Sequence, residues 1–461
     1  MRTRLVPSFA HRSSVHWVLL IAVGLVAAGV MSPTVPRSIA AAVDWADGVT
    51  RLVSANSEGT DAGDRGSGGP VISPDGAMIA FSSAASNLDP TVSSSGVGNI
   101  YVRDLATGVT SLVSVSRDGD AGGNGTSSLP VFSPDSTKIA FWSMASNLDA
   151  ATPDTNGQLD VYVRDLHEQA THLVSVNSDG NDAGNKASGT WEVAAVFSTD
   201  SRYVAFTSES SDLIEGLPEA YNSSDVYLRD LAAGVTTLVS ENSAGTGVGN
   251  SYSGRPVFSH DGSMIAFYSS ASDLDATTAD TNGAPDVYVR DLAAGVTHLV
   301  SVNSAGTDSG SGTIFGGRSD NPVFSPTGAS IAFWSWASDL DASIVDDNDS
   351  IDIYLRDLTT LQTHLVSVNA AGDRAANGHS GTEADPVFSS DGTTIAFGSY
   401  ASDLDAASVD SNVEEDIFIR DLESGVTYLV SVNSSGTVSG NGSSGQPAIL
   451  SLIHISEPTR Q

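Results

Sequence analysis

Residues 286–335 read DVYVRDL, AAGVTHLVSVNSAG, TDSGSGTIFGGRSD and NPVFSPTGASIAFWS in succession, and this stretch decides how the rest of the chain is read. Its apolar runs are rich in Val, Ile, Phe and Tyr and are broken by Gly, Asp, Asn and Ser. β-Branched and aromatic residues suit a pleated, half-buried surface, and the polar punctuation suits turns. The stretch therefore predicts consecutive antiparallel strands, with a unit four strands long.

Outward from it the same text recurs. The P-V-F-S run begins at Pro70, Pro130, Pro256, Pro322 and Pro386, with degenerate copies at Ala195 and Pro447, a period of about 60 to 66 residues. A fixed period with four strands per unit predicts the blades of a β-propeller. No single blade can bury both its faces. Stacked radially, each sheet covers its neighbours, which accounts for strands that are apolar at nearly every position. Residues 48–54 (GVTRLVS) match the last strand of a unit and residues 447–451 (PAILS) match a first strand. Joining such scraps in one blade would remove exposed edges. The expected fold is thus all-β: a propeller of four-stranded antiparallel blades, six complete, with a composite, incomplete seventh.

Residues 1–42 stand apart from the repeat. Arg2, Arg4 and Arg12 precede an apolar run over 17–31, and Ala40-Ala41-Ala42 follows, the pattern of a signal peptide cleaved near Val43. The alternative is an uncleaved anchor, for which the run is short against a span of ~20 residues. Either reading puts the propeller, residues 43–451, outside the cytoplasm: secreted, extracellular or periplasmic, at the cell envelope. Residues 452–461 leave the repeat and resemble translated sequencing-adapter sequence, so the expectation is a ring left open or badly closed there.

Composition narrows the function. The chain has no Cys, which excludes disulfides, thiol catalysis and thiolate metal ligation. Its formal charge of -35 disfavours nucleic acid and anionic lipid and favours cations or basic partners. A monomer is expected, with no membrane insertion of the mature chain.

Ser73-Pro74-Asp75-Gly76 predicts a tight hairpin between first and second strands. Ser136 and Ser201 replace the Gly and Thr327 replaces the Asp, so those turns should be strained or reshaped. The third-to-fourth connection is also short, whereas the second-to-third and fourth-to-first connections are long. Strand alternation places both long connections on one face, where function is expected.

The P-V-F-S-P-D-G-x-x-I-A-F-x-S run resembles the WD40-like PD40 repeat of TolB-type periplasmic propellers and of the propeller domains of prolyl-oligopeptidase-type peptidases, and the likeness covers residues 44–451. It implies blades around a central channel and mostly binding or gating roles. The units exceed the usual ~40 to 45 residues, the excess lying in the long loops.

The best chemical constellation lies between second and third strands. Asp154, Asn156 and Asp160 recur as Asp280, Asn282 and Asp286, and more loosely as Asp346, Asn348 and Asp352 and as Asp410, Asn412 and Asp416. Carboxylate and amide oxygens around a tight turn suit calcium. The alternative is Asx turns that shape the loop. Units one and three lack the first Asp.

The repeated Ala-Ser-Asp/Asn-Leu-Asp cluster offers paired carboxylates, but near-identical copies in every unit imply a structural task rather than catalysis. Arg-Asp in the third strand (Arg103, Arg164, Arg229, Arg290, Arg356, Arg420) predicts Arg paired with a carboxylate and Asp opening the next turn. His172, His298 and His364 share one fourth-strand position and are kept apart by a radial array. Trp142, Trp334, Trp336, Tyr268 and Tyr400 read as interblade core or, alternatively, as a sugar-stacking rim. No nucleophile elbow, zincin, phosphate-loop or dinucleotide motif is found. The function expected is a non-catalytic binding or scaffolding module for a protein or cell-envelope polymer, acting through the long-loop face. The alternatives are the propeller portion of a truncated hydrolase or peptidase, and a propeller lyase or hydrolase with a central-channel site. The latter would be marked by one blade with a unique cluster of acids, His or Tyr; unit three, with Trp191, Glu192 and residues 215–221, is the most divergent.

Overall fold

The computed structural model describes residues 50–449 apart from Ser95, 190–194, 218–222 and 382–383. The signal peptide, the tail over 452–461, Trp191, Glu192 and Tyr221 fall outside the described residues.

The quoted stretch folds as expected. DVYVRD and VTHL form strands Asp286–Asp291 and Val296–Leu299, which close one sheet, and Ser319–Phe324 and Ser330–Ser335 open the next. Six four-stranded antiparallel sheets result, each ordered first strand to fourth as the chain runs. We number these blades 1 to 6, over residues 67–112, 127–173, 196–238, 253–299, 319–365 and 387–429. The central register repeats without slippage: Met78 faces Asp104 in blade 1 as Ser330 faces Asp357 in blade 5.

Both faces of each second strand are buried, which is why Ile-Ala-Phe replaces strict alternation. Ile265 and Phe267 of blade 4 join a cluster with Ala205 and Val226 of blade 3, while Ala266 and Val287 join one with Ile331 and Phe333 of blade 5. Large side chains thus meet small ones across every interface. In blades 1 to 5 the second-strand Phe stacks on the third-strand Tyr, as Phe333 does on Tyr354 with centroids 6.1 Å apart. Each such ring contributes about 2–3 kcal/mol by burial. The first strands of neighbouring blades approach one another, as in blades 1 and 2 and in blades 4 and 5, and the fourth strands do not.

The conserved-looking serines are cross-links. Ser253 and Ser269 Oγ lie 2.8 Å apart at the end of first and second strands, and the same pair recurs at Ser127 and Ser143 and at Ser319 and Ser335. Ser136 and Ser201 adopt φ of 61° and 60°, the left-handed conformation that the Gly held in blade 1, so those turns are strained as expected. Each hydroxyl has a partner in the neighbouring turn: Ser136 Oγ accepts from Asp75 N, and Ser201 Oγ from Asp135 N, both at 3.2 Å.

The two ends of the array differ from its interior. Residues 52–66 dock on blade 1 as the loop after Val113 docks on blade 2: Ser57 N donates to Asn87 O at 2.8 Å as Arg117 N donates to Asn147 O at 2.7 Å. The close approach requires glycine, since a Cβ at Gly123 would lie 2.9 Å from Ala145 Cβ. Among the described residues no strand of the expected composite seventh blade forms, neither over 50–54 nor over 441–449. Val430 of blade 6 is accordingly 52% exposed, where its counterparts Val113, Val174, Val239, Val300 and Val366 are each 1% exposed.

Candidate binding site

The first strands carry the site. In blades 1, 2, 4 and 5 the ladder to the second strand slips by a bulge immediately before the Val-Phe pair. The residue ahead of the proline is left-handed there: Gly69 at 58°, Leu129 at 51°, Arg255 at 52° and Asn321 at 54°. Bulges re-aim side chains, and left-handed non-glycine residues concentrate at functional positions. Arg255 Nη1 donates to Asn321 Oδ1 at 2.5 Å, and Asn321 Nδ2 donates to Asp385 Oδ1 at 2.5 Å. Three successive blades are thereby linked by a polar ladder. Desolvation by the surrounding protein raises the Asp385 carboxyl above its ordinary range, although Asp385 keeps solvent contact and Arg255 pulls the other way.

Beside the ladder, on the long-loop face, lies an aromatic rim. Phe315, in a short 3-10 turn over Phe315–Gly317, is 70% exposed. Its ring meets Trp336 edge to face at 5.2 Å, and Trp336 meets His379 at 5.2 Å. The Arg318 guanidinium lies 5.3 Å from the Trp334 ring centroid and pairs with Asp320 at 2.8 Å. Tyr252 and Tyr268 stand edge to face at 6.0 Å. Of the aromatics read as interblade core, Trp142 is 3% exposed and belongs there. Trp334, Trp336 and Tyr268 are half-buried and Tyr400 is exposed, because the strand ends that bear them emerge on the loop face.

In the acid loops Asp160, Asp286, Asp352 and Asp416, which open the third strands, are buried, and negative charge is over-supplied. Asp160 Oδ1 accepts from Ser175 Oγ at 2.6 Å and Oδ2 from Asn156 Nδ2 at 2.8 Å; Asn156 Oδ1 accepts from Gln158 N at 2.5 Å. Asn282, Asn348 and Asn412 do the same toward Asp286, Asp352 and Asp416, each forming an Asx turn with its nitrogen facing the carboxylate. Burial pushes Asp160 up to about 8, Asp225 of blade 3 up to about 7, and Asp286 and Asp352 well above the usual carboxylate range. Burial also raises Asp154, Asp280, Asp346 and Asp410.

Hydrogen counting shows what the pairs lack. Tyr162 Oη lies 3.0 Å from Ala145 O and 2.9 Å from Asp154 Oδ2, yet a phenol has one proton to give. Tyr288 meets Ala271 O and Asp280, and Tyr354 meets Ala337 O and Asp346, in the same way. The second contact needs positive charge from outside, a proton on the acid or a cation. Asp154 Oδ1, Asp280 Oδ1 and Asp410 Oδ2 are moreover buried without a hydrogen-bond partner. Blade 1 shows the neutral solution: Asn99 accepts from Ser114 Oγ at 2.7 Å and donates to Ser94 Oγ at 3.2 Å, and Tyr101 gives its proton to Ala85 O alone. Among the described residues, no three acid or histidine side chains converge tightly enough to hold an ion as they stand.

Other sequence candidates serve the scaffold. In the Ala-Ser-Asp/Asn-Leu-Asp cluster, Asp273 Oδ1 accepts from Asn250 N at 2.9 Å and Asp275 Oδ2 from Leu299 N at 2.9 Å, tying down the incoming loop and the fourth strand. Arg103, Arg164, Arg229, Arg290, Arg356 and Arg420 donate to the fourth-strand Thr opposite them, not to a carboxylate as expected, because Thr Oγ1 lies across the ladder. Arg290 alone of these six also reaches a carboxylate, Glu241 of the preceding loop, at 2.6 Å. Asp104 opens the next turn as expected, accepting from Ala106 N and Thr107 N. His172, His298 and His364 are exposed on separate fourth strands. In blade 3, Ile214 replaces the second acid, and beside it a cavity of about 710 Å³ opens against Leu217, Leu238 and Leu292.

Arg255, Asn321 and Asp385 were not singled out by sequence. Their signal was present: the residue before each P-V-F-S run varies (Gly69, Leu129, Arg255, Asn321, Asp385, Gln446) inside otherwise constant text.

No protein-family model matches this chain, and no curated protein does. Among solved structures it is similar to TolB from Acinetobacter baumannii, at 19% identity over 65% of this chain and 53% of that one, with a TM-score of 0.34. It is similar to oligogalacturonate lyase from Vibrio parahaemolyticus at 13% identity over 78% and 75%, TM-score 0.44. The β-propeller domain of the Trilobed protease from Pyrococcus furiosus is similar at 12% identity over 79% and 83%, TM-score 0.40. Each of these likenesses is slight, and the fold rests on the six four-stranded sheets described above.

Proposed function

We propose that this propeller is a secreted or periplasmic binding module that holds a protein or cell-envelope polymer on its long-loop face, over blades 4 to 6. The observation that carries the reading is the grouping of exposed Phe315 with half-buried Trp336 and His379, together with the Arg255–Asn321–Asp385 ladder. Monomeric singletons of apolar surface are ordinary, whereas aromatics grouped beside an ordered polar network fit recognition. Catalysis is not favoured, because the ladder's groups are engaged with one another. Immobilised protein exposed to a cell-envelope extract should retain material that the Trp336→Ala variant does not; equal retention by both would remove this face from the function.

A second reading concerns charge balance in the acid loops. Calcium is proposed to supply the missing positive charge, chiefly at Asp154 and Asp160 and at Asp280 and Asp286. A third carboxylate stands near each pair, Asp182 bonded to Thr155 N and Asp308 bonded to Thr281 N, both at 3.0 Å. The looser pairs at Asp346 and Asp352 and at Asp410 and Asp416 differ, with Arg374 and Val438 in the place of that third acid. Titration with calcium chloride should give heat and a raised Tm. No heat and no shift at millimolar calcium would assign the charge to protons instead.

A further inference from the structure

We infer that the ligand of the blade 4 to 6 face is an uncharged polysaccharide chain of pyranose rings, an inference that rests on reading this face as the binding surface. Three features of the face select that chemistry.

The first is the inner edge of the blades. An extended peptide would pair with a first strand through backbone N–H and C=O groups. Pro70, Pro130, Pro256, Pro322 and Pro386 remove a donor from that edge, and bulges at Gly69, Leu129, Arg255 and Asn321 bend it. An edge so interrupted refuses strand addition.

The second is charge. Arg318 is bonded to Asp320, Arg255 to Asn321, and Asn321 to Asp385. Arg318 is thus answered by Asp320 within the site, and the formal charge of -35 repels a polyanion.

The third is the pairing of donors with acceptors. A sugar hydroxyl gives one hydrogen bond and accepts others, so vicinal hydroxyls are met best by alternating donors and acceptors on planar groups. Guanidinium, amide and carboxylate alternate in that way along Arg255, Asn321 and Asp385. Among the long loops exposed Phe315, held edge to face by Trp336, offers an apolar ring face for the C–H side of a pyranose.

The experiment uses the whole protein immobilised and exposed to cell-envelope extract in three forms: untreated, protease-digested, and oxidised with periodate, which cleaves vicinal diols. Retention that survives protease, is lost after periodate, and falls at least tenfold in the Trp336→Ala and Asn321→Leu variants is the expected result. Direct titration should show binding of neutral hexasaccharides such as cellohexaose or xylohexaose in preference to hexagalacturonate. Loss of retention after protease, with the variants still impaired, would overturn the polysaccharide assignment while leaving the binding face standing. Retention unaffected by the variants, in any form of the extract, would overturn both. Preference for hexagalacturonate would overturn the uncharged assignment alone. Thermal melting of each variant separates lost binding from lost folding.

Discussion

Blades 1 and 5 share one backbone and differ in what it carries. Their second and third strands pair in identical register, Ile79 with Arg103 and Ile331 with Arg356. Phe81 stacks on Tyr101 at 6.0 Å as Phe333 stacks on Tyr354 at 6.1 Å. At the bulge, however, blade 1 has Gly69 and blade 5 has Asn321; opposite it, blade 1 has Ser82 and blade 5 has Trp334; in the acid loop, blade 1 has Ser94 and Asn99 where blade 5 has Asp346 and Asp352. The scaffold residues are those that recur, and function is to be sought where recurrence fails.

The largest effect should come from the shared part. Phe333→Ala opens a cavity between two complete sheets and should cost about 3–5 kcal/mol of stability. Phe81→Ala opens one against the docked segment over 52–66, which can settle into it, and should cost less. Calorimetry of both variants tests this; equal losses would mean that the docked segment packs as rigidly as a sheet.

Next is the charge in the loops, where blade 3 can be given blade 1's chemistry by Asp225→Asn. The Asp225 carboxyl is raised to about 7 when folded, against ~3.9 unfolded. A raised folded value means that its contribution to stability is full below about pH 4 and is lost as pH rises through about 7. Asparagine escapes that loss while still accepting from Ser240 as Asn99 accepts from Ser114. The variant should therefore gain roughly 2–3 kcal/mol over the parent at pH 8 and nothing at pH 4. A gain independent of pH would break the assignment of burial as its cause.

The difference between the blades can also be erased at the bulge. Asn321→Leu gives blade 5 the residue of blade 2 and removes the bonds to Arg255 and Asp385, at a cost of about 1 kcal/mol because water can reach the freed groups. A larger drop in Tm would show the ladder to be a strut between blades rather than a recognition element.

How far the sequence could be read follows the same division. Strands and the six complete blades were legible because Ile-Ala-Phe, Tyr-x-Arg-Asp-Leu and Leu-Val-Ser repeat, and repetition amplifies a weak local signal; the composite seventh, expected from residues 48–54 and 447–451, forms no strand among the described residues. Ser136 and Ser201 as strained turns were legible because a turn type demands a φ sign. The Arg partners were misjudged: charge suggested a carboxylate, but the position across the ladder, set by register, belongs to Thr110, Thr171, Thr236, Thr297, Thr363 and Thr427. The ladder of Arg255, Asn321 and Asp385 escaped notice because its members lie 66 and 64 residues apart and meet only once the first strands converge.

The smallest effect expected is at Ser136, and it comes from opposed terms. Its φ of 61° costs a side chain about 1 kcal/mol that glycine would be spared, as Gly76 is at 71° in blade 1. Ser136→Gly would also lose the bond that Ser136 Oγ accepts from Asp75 N across the blades, at 3.2 Å and worth about 0.5–1 kcal/mol, and would loosen the unfolded chain by a similar amount. The strain relief and the combined losses nearly cancel, so the variant should melt within a degree or two of the parent. Gly76→Ser, by contrast, takes on the strain and has no preceding turn of blade 1's kind among the described residues to bond to, so it should destabilise by about 1 kcal/mol. If the two substitutions instead shifted Tm equally and in opposite directions, the contact between adjacent turns would contribute nothing, and blade-to-blade cohesion would rest on the apolar clusters alone.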